Sequence, residues 1–300
     1  MADEDGGTVS WRELLAETTD RLAASDAAAP PAEARWIVEE ASGLEGTELV
    51  LGLDEPATVR MVAHLDAMVE RRLAGEPIQY VLGHWAFRHL DLMVDRRVLI
   101  PRPETEQVVE VALGALDRIG AGRPSGHRLT AADLGTGTGA IALAVATERR
   151  GSRVWGIERS TDALAVARAN LTGLGMAGSG VQLVEGTWFE ALPDDLRGCL
   201  DLVVSNPPYI AADEVLDPSV ADWEPVDALV PGPTGLEAHE AIVAGAGEWL
   251  APGGALVLEI GSTQGPAVAV LLGAHGFDEV QVRPDLAGLD RAVVGFRPAG

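Results

Sequence analysis

A chain of 300 residues fits one large domain or two smaller ones, and 47% hydrophobic residues suffice for a sizeable core. The net charge of -24 disfavours direct nucleic-acid binding, and the complete absence of lysine excludes lysine Schiff-base chemistry. One cysteine excludes an intrachain disulfide framework, no apolar run is long enough to span a bilayer, and residues 1–10 are unlike a signal peptide. We therefore expect a cytoplasmic protein without membrane association.

The first 75 residues have the periodicity of helices, with apolar side chains recurring every three or four positions. Ser10 is placed to cap the first helix, and Glu13 three residues later completes a capping box. We predict a small helical bundle domain over residues 1–75. Its helical segments are 11–22, 34–41 and 56–73.

Residues 76–101 change character, and we interpret them as a strand-rich connector with strand-like runs at 80–83 and 90–94. A helix is predicted to follow at once. Pro103 suits a first helical position, and the acids that follow it lie in the first turn, where the helix dipole favours negative charge.

From residue 129 onward, short apolar runs alternate with helical patterns. This alternation predicts a mainly parallel, seven-stranded sheet with helices on both faces, in a domain spanning residues 102–300. The last two runs are expected to pair at an edge. Ligands of such sheets bind at the carboxyl ends of the strands. The predicted strands are 129–134, 154–157, 181–184, 202–205, 255–260, 280–282 and 292–296, and the predicted helices are 139–149, 161–173, 237–250 and 264–275.

A glycine-rich loop follows the first of these strands and opens a helix. Its spacing, G-x-G-x-G, differs from the G-x-G-x-x-G of the dinucleotide fingerprint and favours a nucleoside over a pyrophosphate. Glu158, which ends the next strand, can accept hydrogen bonds from both ribose hydroxyls, or it is simply a surface acid. Trp188 can cover an adenine face or be a core tryptophan. The loop consists of Gly135, Thr136, Gly137, Thr138 and Gly139.

The run Asn206-Pro207-Pro208-Tyr209 directly follows a predicted strand. The Asn206 side chain and the Pro207 main chain each offer an acceptor oxygen, and prolines lack a competing N–H group. Two such oxygens can hold the hydrogens of a planar nitrogen while it is methylated, and the Tyr209 ring can lie against a flat substrate group. The alternative is a proline-rich turn that merely ends a strand.

These segments resemble the class I S-adenosylmethionine methyltransferases and, more narrowly, the HemK/PrmC family, from about residue 75 to the C terminus. The NPPY run is shared with DNA adenine methyltransferases, so the narrower resemblance depends on the other segments. The segments are 75–80 (GEPIQY), 100–106 (IPRPETE), 133–142 (DLGTGTGAIA), 205–210 (SNPPYI), 258–261 (LEIG) and 285–291 (DLAGLDR).

The resemblance implies a Rossmann-like fold and methyl transfer from S-adenosylmethionine to the side-chain nitrogen (N5) of the glutamine in the GGQ motif of peptide-chain release factors. It implies that the glycine loop cradles the methionine and ribose of the cofactor, that Glu158 binds the ribose hydroxyls, and that Trp188 lines the adenine pocket. Thr187 departs from the acid that some members have there. Asn206 is assigned to cofactor and substrate binding. Asn206, Pro207, Pro208 and Tyr209 are assigned to the substrate, with Asn206, Pro207 and Tyr209 catalytic.

Four other functions stay open at this point. They are a ribosomal-protein glutamine methyltransferase, a DNA or RNA adenine-N6 methyltransferase acting on a flipped base, a dinucleotide-dependent oxidoreductase, and a non-enzymatic binding module. The six histidines have no metal-like spacing, so no metal is assigned, and a monomer is expected. Arginines 71, 72, 96 and 97 are either a docking surface for an acidic partner or part of a mixed solvated face.

Overall fold

The structure, a computed structural model, describes residues 8–25 and 27–299. The chain divides into two compact units, Met1–His84 and Trp85–Gly300. Most of the acidic segment 1–10 and the ends of the predicted domains lie outside the described residues. The predicted divisions after residues 75 and 101 stay predictions.

The first unit is helical, as predicted. The capping box of the first helix is confirmed, since Glu13 N donates to Ser10 Oγ at 3.3 Å and Ser10 N donates to Glu13 Oε2 at 2.8 Å. Leu22, Ile37 and Val69 are fully buried in its core. The helices are α1 (Trp11–Ala23), α2 (Pro30–Ser42), α3 (Thr47–Gly52), α4 (Val59–Leu73) and α5 (Ile78–Leu82).

The strand predicted at residues 80–83 is wrong, because this segment belongs to helix α5. The Tyr80 and Val81 N–H groups both donate to the Pro77 carbonyl, and Gly83 ends the helix with a φ of 83°. Helix α3 was not predicted at all. The strand predicted at 90–94 is confirmed as β2 (Leu90–Met93), which pairs with β1 (His84–Phe87).

The second unit contains the predicted seven-stranded sheet. Its strand order is β5-β4-β3-β6-β7-β9-β8, parallel except for β9, which runs antiparallel to both of its neighbours. The pairing of the last two strands is confirmed. The strands are β3 (Thr130–Leu134), β4 (Arg153–Glu158), β5 (Val181–Glu185), β6 (Leu200–Ser205), β7 (Leu250–Glu259), β8 (Asp278–Pro284) and β9 (Asp290–Phe296).

Alternate residues of the strands supply two apolar layers. Ala131 and Leu202 face a core shared with α6 and α7, whereas Ala132 and Val203 face a core shared with α10 and α11. Pro103 begins α6, as predicted. The helices of this unit are α6 (Pro103–Ala121), α7 (Ala140–Glu148), α8 (Thr161–Gly173), α9 (Pro218–Ala221), α10 (Glu237–Trp249) and α11 (Gly265–Ala274). Over the described part of the chain, none of the helices is long and apolar enough to cross a membrane.

The four arginines considered as a docking surface each have a partner within their own unit. Arg72 is the most enclosed of them, with 15% side-chain exposure and a bond of 2.7 Å to the buried Glu33. A docking role stays a prediction. The partners are Glu76 for Arg71, Glu33 for Arg72, the Trp223 ring for Arg96 and Asp95 for Arg97.

A substitution at Gly156 of β4 tests how tightly the side chains pack around this strand next to the glycine loop. A Cβ atom there would lie 2.7 Å from Leu183 Cδ2 and 3.0 Å from Thr136 Oγ1. We expect Gly156→Ala to lower the free energy of unfolding by about 1–3 kcal/mol, because the side chains around it must shift. Urea denaturation measures this difference.

The matched control is Gly173→Ala at the end of α8, where a Cβ would meet no described atom within 4 Å. That variant should be as stable as the parent or more stable by up to about 1 kcal/mol, because alanine favours a helix. Equal stability of Gly156→Ala and the parent would contradict the packing argument.

Candidate active site

The site begins where the two central strands end. β3 and β6 are parallel neighbours, and the Ser205 hydroxyl at the end of β6 donates to the Leu134 carbonyl at the end of β3 over 2.6 Å. The chain runs outward from β3 through β4 to β5 and then returns to the other side of β3. This reversal is a topological switch point, where sheets of this kind bind ligands.

A cavity of about 1050 Å³ opens at this point. Eight of the predicted site residues line it, whereas Gly139, Pro207 and Tyr209 do not belong to its wall within the described chain. Gly139 is instead the N-cap of α7, with a φ of 86°. The predicted residues in the wall are Gly135, Thr136, Gly137, Thr138, Glu158, Trp188, Asn206 and Pro208.

Four of the five main-chain N–H groups of the glycine loop donate to acceptors inside the protein. Gly135 N and Thr136 N both donate to the Ile157 carbonyl, Gly137 N donates to Glu158, and Gly139 N donates to the Thr136 carbonyl. A loop that cradles a phosphate needs these groups for the anion. The loop therefore suits a ligand with an uncharged backbone, as its spacing predicted.

Glu158 lies at the cavity wall and is 9% exposed. Its Oε2 accepts from Gly137 N and its Oε1 from Ser160 N, both at 2.9 Å. Each carboxylate oxygen has a second acceptor position, so Glu158 is held rigidly and can still bind hydroxyl groups. Glu185, which occupies the matching position on β5, is exposed.

Trp188 lies at the border between the core and the cavity, and its adenine role stays a prediction. It is half-buried against the core shared with α10 and α11, and it also lines the cavity. Its ring reaches Gly135, where a Cβ would be 3.7 Å from Trp188 Cζ3. Its φ of 49° is unusual for a residue with a side chain and indicates a strained turn.

Asp133 is a buried acid directly before the loop. Burial raises its pKa to about 7, although Thr136 Oγ1 and Ala142 N donate to its Oδ2 at 2.5 and 3.1 Å, and the charge of Glu158 raises it further. No partner of its Oδ1 is found in the described structure. Asp133 was not among the predicted site residues, although it directly precedes the loop.

The NPPY run starts at the cavity and leads away from it. Asn206 Nδ2 donates to Thr105 Oγ1 at 3.2 Å, and Pro207 is buried. Burial raises the pKa of Tyr209 to about 12, with the charge of Glu259 acting in the same direction. The Tyr209 phenol therefore stays neutral over the physiological range.

The segment after the NPPY run also reaches the cavity, which the sequence reading missed. Pro225, Val226, Asp227 and Ala228 form part of the wall. Glu224 anchors this segment, because its buried carboxylate accepts from Ile100 N at 3.1 Å and from Arg102 Nη2 at 2.5 Å. This segment has no periodic apolar residues, so its sequence did not indicate that it lines the cavity.

S-adenosylmethionine fits the residues at this site. The cavity volume suits a nucleoside-sized ligand, the loop has no spare row of amides for phosphate, and Glu158 and Trp188 offer a carboxylate and an aromatic face. The solved catalytic domain of hMettl16, in complex with the MAT2A 3′UTR hairpin 6, has the same fold with a TM-score of 0.52, 14% identity, and coverage of 80% of this chain and 82% of that one. Fold and site define a class I methyltransferase of the Rossmann-like type, whose cofactor is S-adenosylmethionine.

The family follows from two further comparisons. Residues 13–83 match the PrmC N-terminal domain and residues 123–222 match the methyltransferase small domain. Curated proteins named release factor glutamine methyltransferase are similar along nearly the whole chain. The one from Burkholderia pseudomallei is 44% identical over 89% of this chain and 92% of its own length, and the one from Cereibacter sphaeroides is 40% identical over 96% and 98%. The chain belongs to the release factor glutamine methyltransferase family.

The raised pKa of Asp133 predicts a pH effect on stability. Between about pH 4 and pH 7, the folded protein keeps a proton on Asp133 that the unfolded chain has lost, so this group makes folding less favourable as the pH rises. The shift from 3.8 to about 7 corresponds to about 4 kcal/mol over that range. Asp133→Asn should therefore gain stability relative to the parent as the pH rises from 4 to 7.

Urea unfolding at a series of pH values measures this relative gain. Asp217→Asn serves as the control, since Asp217 is exposed and its pKa is lowered by hydrogen bonds from Ser219. If the free energies of unfolding of the parent and Asp133→Asn change in parallel with pH, then the pKa of Asp133 in the folded protein is not raised into this range.

Proposed function

We propose that this chain transfers a methyl group from S-adenosylmethionine to the side-chain N5 of the glutamine in the GGQ motif of peptide-chain release factors. One observation carries the proposal: Asn206 and residues 135–138 of the glycine loop line one cavity, at strand ends joined by the bond from Ser205 to Leu134. The names of the family members support glutamine as the acceptor.

In this proposal, the NPPY run holds the acceptor. Asn206 Oδ1 and the Pro207 main-chain carbonyl accept hydrogen bonds from the two hydrogens of the glutamine carboxamide, which aims its nitrogen at the methyl group. The amide nitrogen is a poor nucleophile, so alignment supplies most of the catalysis, at best about 7–11 kcal/mol. Pro208 forms part of the cavity wall. Tyr209 lies outside this wall, and we assign its neutral ring to contact the flat group of the bound substrate. A strong general base is not required, because the nitrogen becomes acidic only as it gains positive charge.

The donor side of the site is formed by the glycine loop and the next two strand ends. S-adenosylmethionine supplies a methyl group already activated by its sulfonium. We assign the backbone of residues 135–139 to its methionine and ribose, Glu158 to the ribose hydroxyls, and Trp188 to the adenine. We assign Asn206, which lies between the cofactor side and the acceptor side of the site, to contact both molecules. The rigid Glu158 carboxylate and the half-buried Trp188 support these roles.

We further propose that the helical domain, residues 1–75, and the connector help to bind the release factor, and that the enzyme acts as a cytoplasmic monomer. Termination of translation, in which release factors act, supports the cytoplasm. The net charge of -24 supports recognition of a protein without direct contact to nucleic acid.

The substrate is tested by incubating the protein with labelled S-adenosylmethionine and, separately, a release factor, ribosomal proteins and DNA. Label is expected on the GGQ glutamine of the release factor. Label that appears only on ribosomal protein or only on DNA would replace the proposed acceptor.

Asn206→Ala removes the proposed acceptor oxygen. We expect turnover with a release factor to fall about 100-fold or more, because a poorly aligned acceptor loses most of the positioning effect. The Kd for S-adenosylmethionine should change less than about threefold, because the main cofactor contacts remain. Single-turnover methylation and calorimetric titration measure the two quantities.

Val215→Ala is the control for Asn206→Ala, since Val215 follows the same run and is 97% exposed. It should behave like the parent. Near-normal methyl transfer by Asn206→Ala would refute the proposal that Asn206 Oδ1 holds the acceptor carboxamide.

Glu158→Gln should weaken cofactor binding. The neutral amide accepts hydrogen bonds less strongly than a carboxylate, and one side of it faces an N–H donor that it cannot pair with. The Kd for S-adenosylmethionine is expected to rise about 10- to 100-fold, with turnover at saturating cofactor less affected. Glu185→Gln changes the exposed acid at the matching strand end and should leave the Kd unchanged. Equal Kd values for both variants would remove Glu158 from the binding site.

A further inference from the structure

Two buried residues lie behind Asn206, and the proposed chemistry does not use them. Thr105, in the first turn of α6, is 4% exposed, and its hydroxyl oxygen accepts from Asn206 Nδ2 at 3.2 Å. Glu259, at the end of β7 next to β6, is 1% exposed. Its Oε2 has no hydrogen-bond partner among the described atoms. A buried carboxylate with an unpaired oxygen costs stability, so its retention at this position calls for a function.

The hydroxyl of Thr105 forms hydrogen bonds with both Asn206 and Glu259. Burial raises the pKa of Glu259 to about 7, and the hydrogen bond with the Thr105 side chain and the Arg291 charge act in the opposite direction. A hydrogen bond that lowers the pKa of a carboxyl group is one donated to its ionised form. Thr105 has a single hydroxyl hydrogen, and this hydrogen goes to Glu259 when Glu259 is ionised.

While Glu259 is ionised, these hydrogen bonds fix the orientation of Asn206. The Thr105 hydrogen is then used on Glu259, so Thr105 can only accept a hydrogen bond from Asn206. Asn206 must then present its NH₂ group to Thr105, which leaves its Oδ1 for the cavity. The flipped amide would present NH₂ to the NH₂ of an incoming carboxamide, and two donors cannot pair.

We propose that Thr105 and Glu259 are positioning residues that hold the Asn206 amide with its oxygen toward the acceptor nitrogen. The inference rests on the proposed function for its role in turnover. The orientation itself is a property of the protein alone and can be measured without substrate.

The test compares two substitutions at one position. Thr105→Val keeps the shape of the side chain and removes the hydroxyl, whereas Thr105→Ser keeps the hydroxyl. Turnover of Thr105→Val is expected to fall about 10- to 100-fold, with the Kd for S-adenosylmethionine within about twofold of the parent. Thr105→Ser should stay within about threefold of the parent. Thr172→Val is the control, because the Thr172 hydroxyl donates to its own helix at the Arg168 carbonyl.

Side-chain amide exchange gives a second readout that needs no substrate. In ¹⁵N-labelled protein, the NH₂ signals of Asn206 are identified by their loss in Asn206→Ala. They should exchange slowly in the parent and in Thr105→Ser, and faster in Thr105→Val and in Glu259→Gln. In Glu259→Gln, the new amide can donate to Thr105, so the Thr105 hydroxyl hydrogen is no longer committed to residue 259 and Thr105 can donate to Asn206. It keeps the experiment informative if Thr105→Val does not fold.

Equal loss of turnover in Thr105→Val and Thr105→Ser would overturn the inference, since packing and not the hydroxyl would then matter. Unchanged amide exchange in Thr105→Val and Glu259→Gln would also overturn it. Failure of the proposed function is a different result: the unmodified protein would leave a release factor unlabelled, while the exchange measurement would still decide the orientation of Asn206.

Discussion

The bond from the Ser205 hydroxyl to the Leu134 carbonyl ties together the ends of the two central strands, and the site depends on this junction. Each strand leads into one half of the site: β3 into the glycine loop and β6 into Asn206. Parallel strands cannot be joined by a tight turn, so residues more than 70 positions apart meet only because β6 pairs beside β3. The chain reversal at this pair opens the space between the two loops, and both halves face one cavity.

Acids occupy several strand ends at this edge, and their surroundings give them different properties. Asp133 and Glu259 are fully enclosed, and burial raises the pKa of each to about 7. Glu158 is held at the cavity wall by two main-chain N–H groups. Of these three acids, only Glu158 lines the cavity. A carboxylate at the cavity wall favours a cationic ligand over an anionic one, and S-adenosylmethionine has a positive sulfonium.

Much of this arrangement was predictable from the sequence. Each of the seven strands contains a short run with two or more apolar residues, and the rule for parallel sheets predicts Gly135 and Asn206 at one edge of the sheet. The failures have local causes. Helix α5 was taken for a strand because its five residues are too few for a helical period, and its form depends on caps at Pro77 and Gly83. Thr105 and Glu259 lie in the motifs 100–106 and 258–261, but the motifs predict no role for them, since the role we propose arises from contacts between elements distant in the chain.

Hydrogen bonds within the protein hold both halves of the site, and this suits the difficulty of the reaction. An amide nitrogen has a delocalised lone pair, so the protein gains most by fixing geometry and little by adding a base. The glycine loop is closed by its own hydrogen bonds to Ile157 and Glu158, and Asn206 is held by Thr105. A loop with free amides would bind a phosphate more strongly but would first have to reorganise around this cofactor. In the proposed mechanism, the hydrogen bonds inside the loop contribute to catalysis, because rigidity at the strand ends sets the line along which donor and acceptor meet.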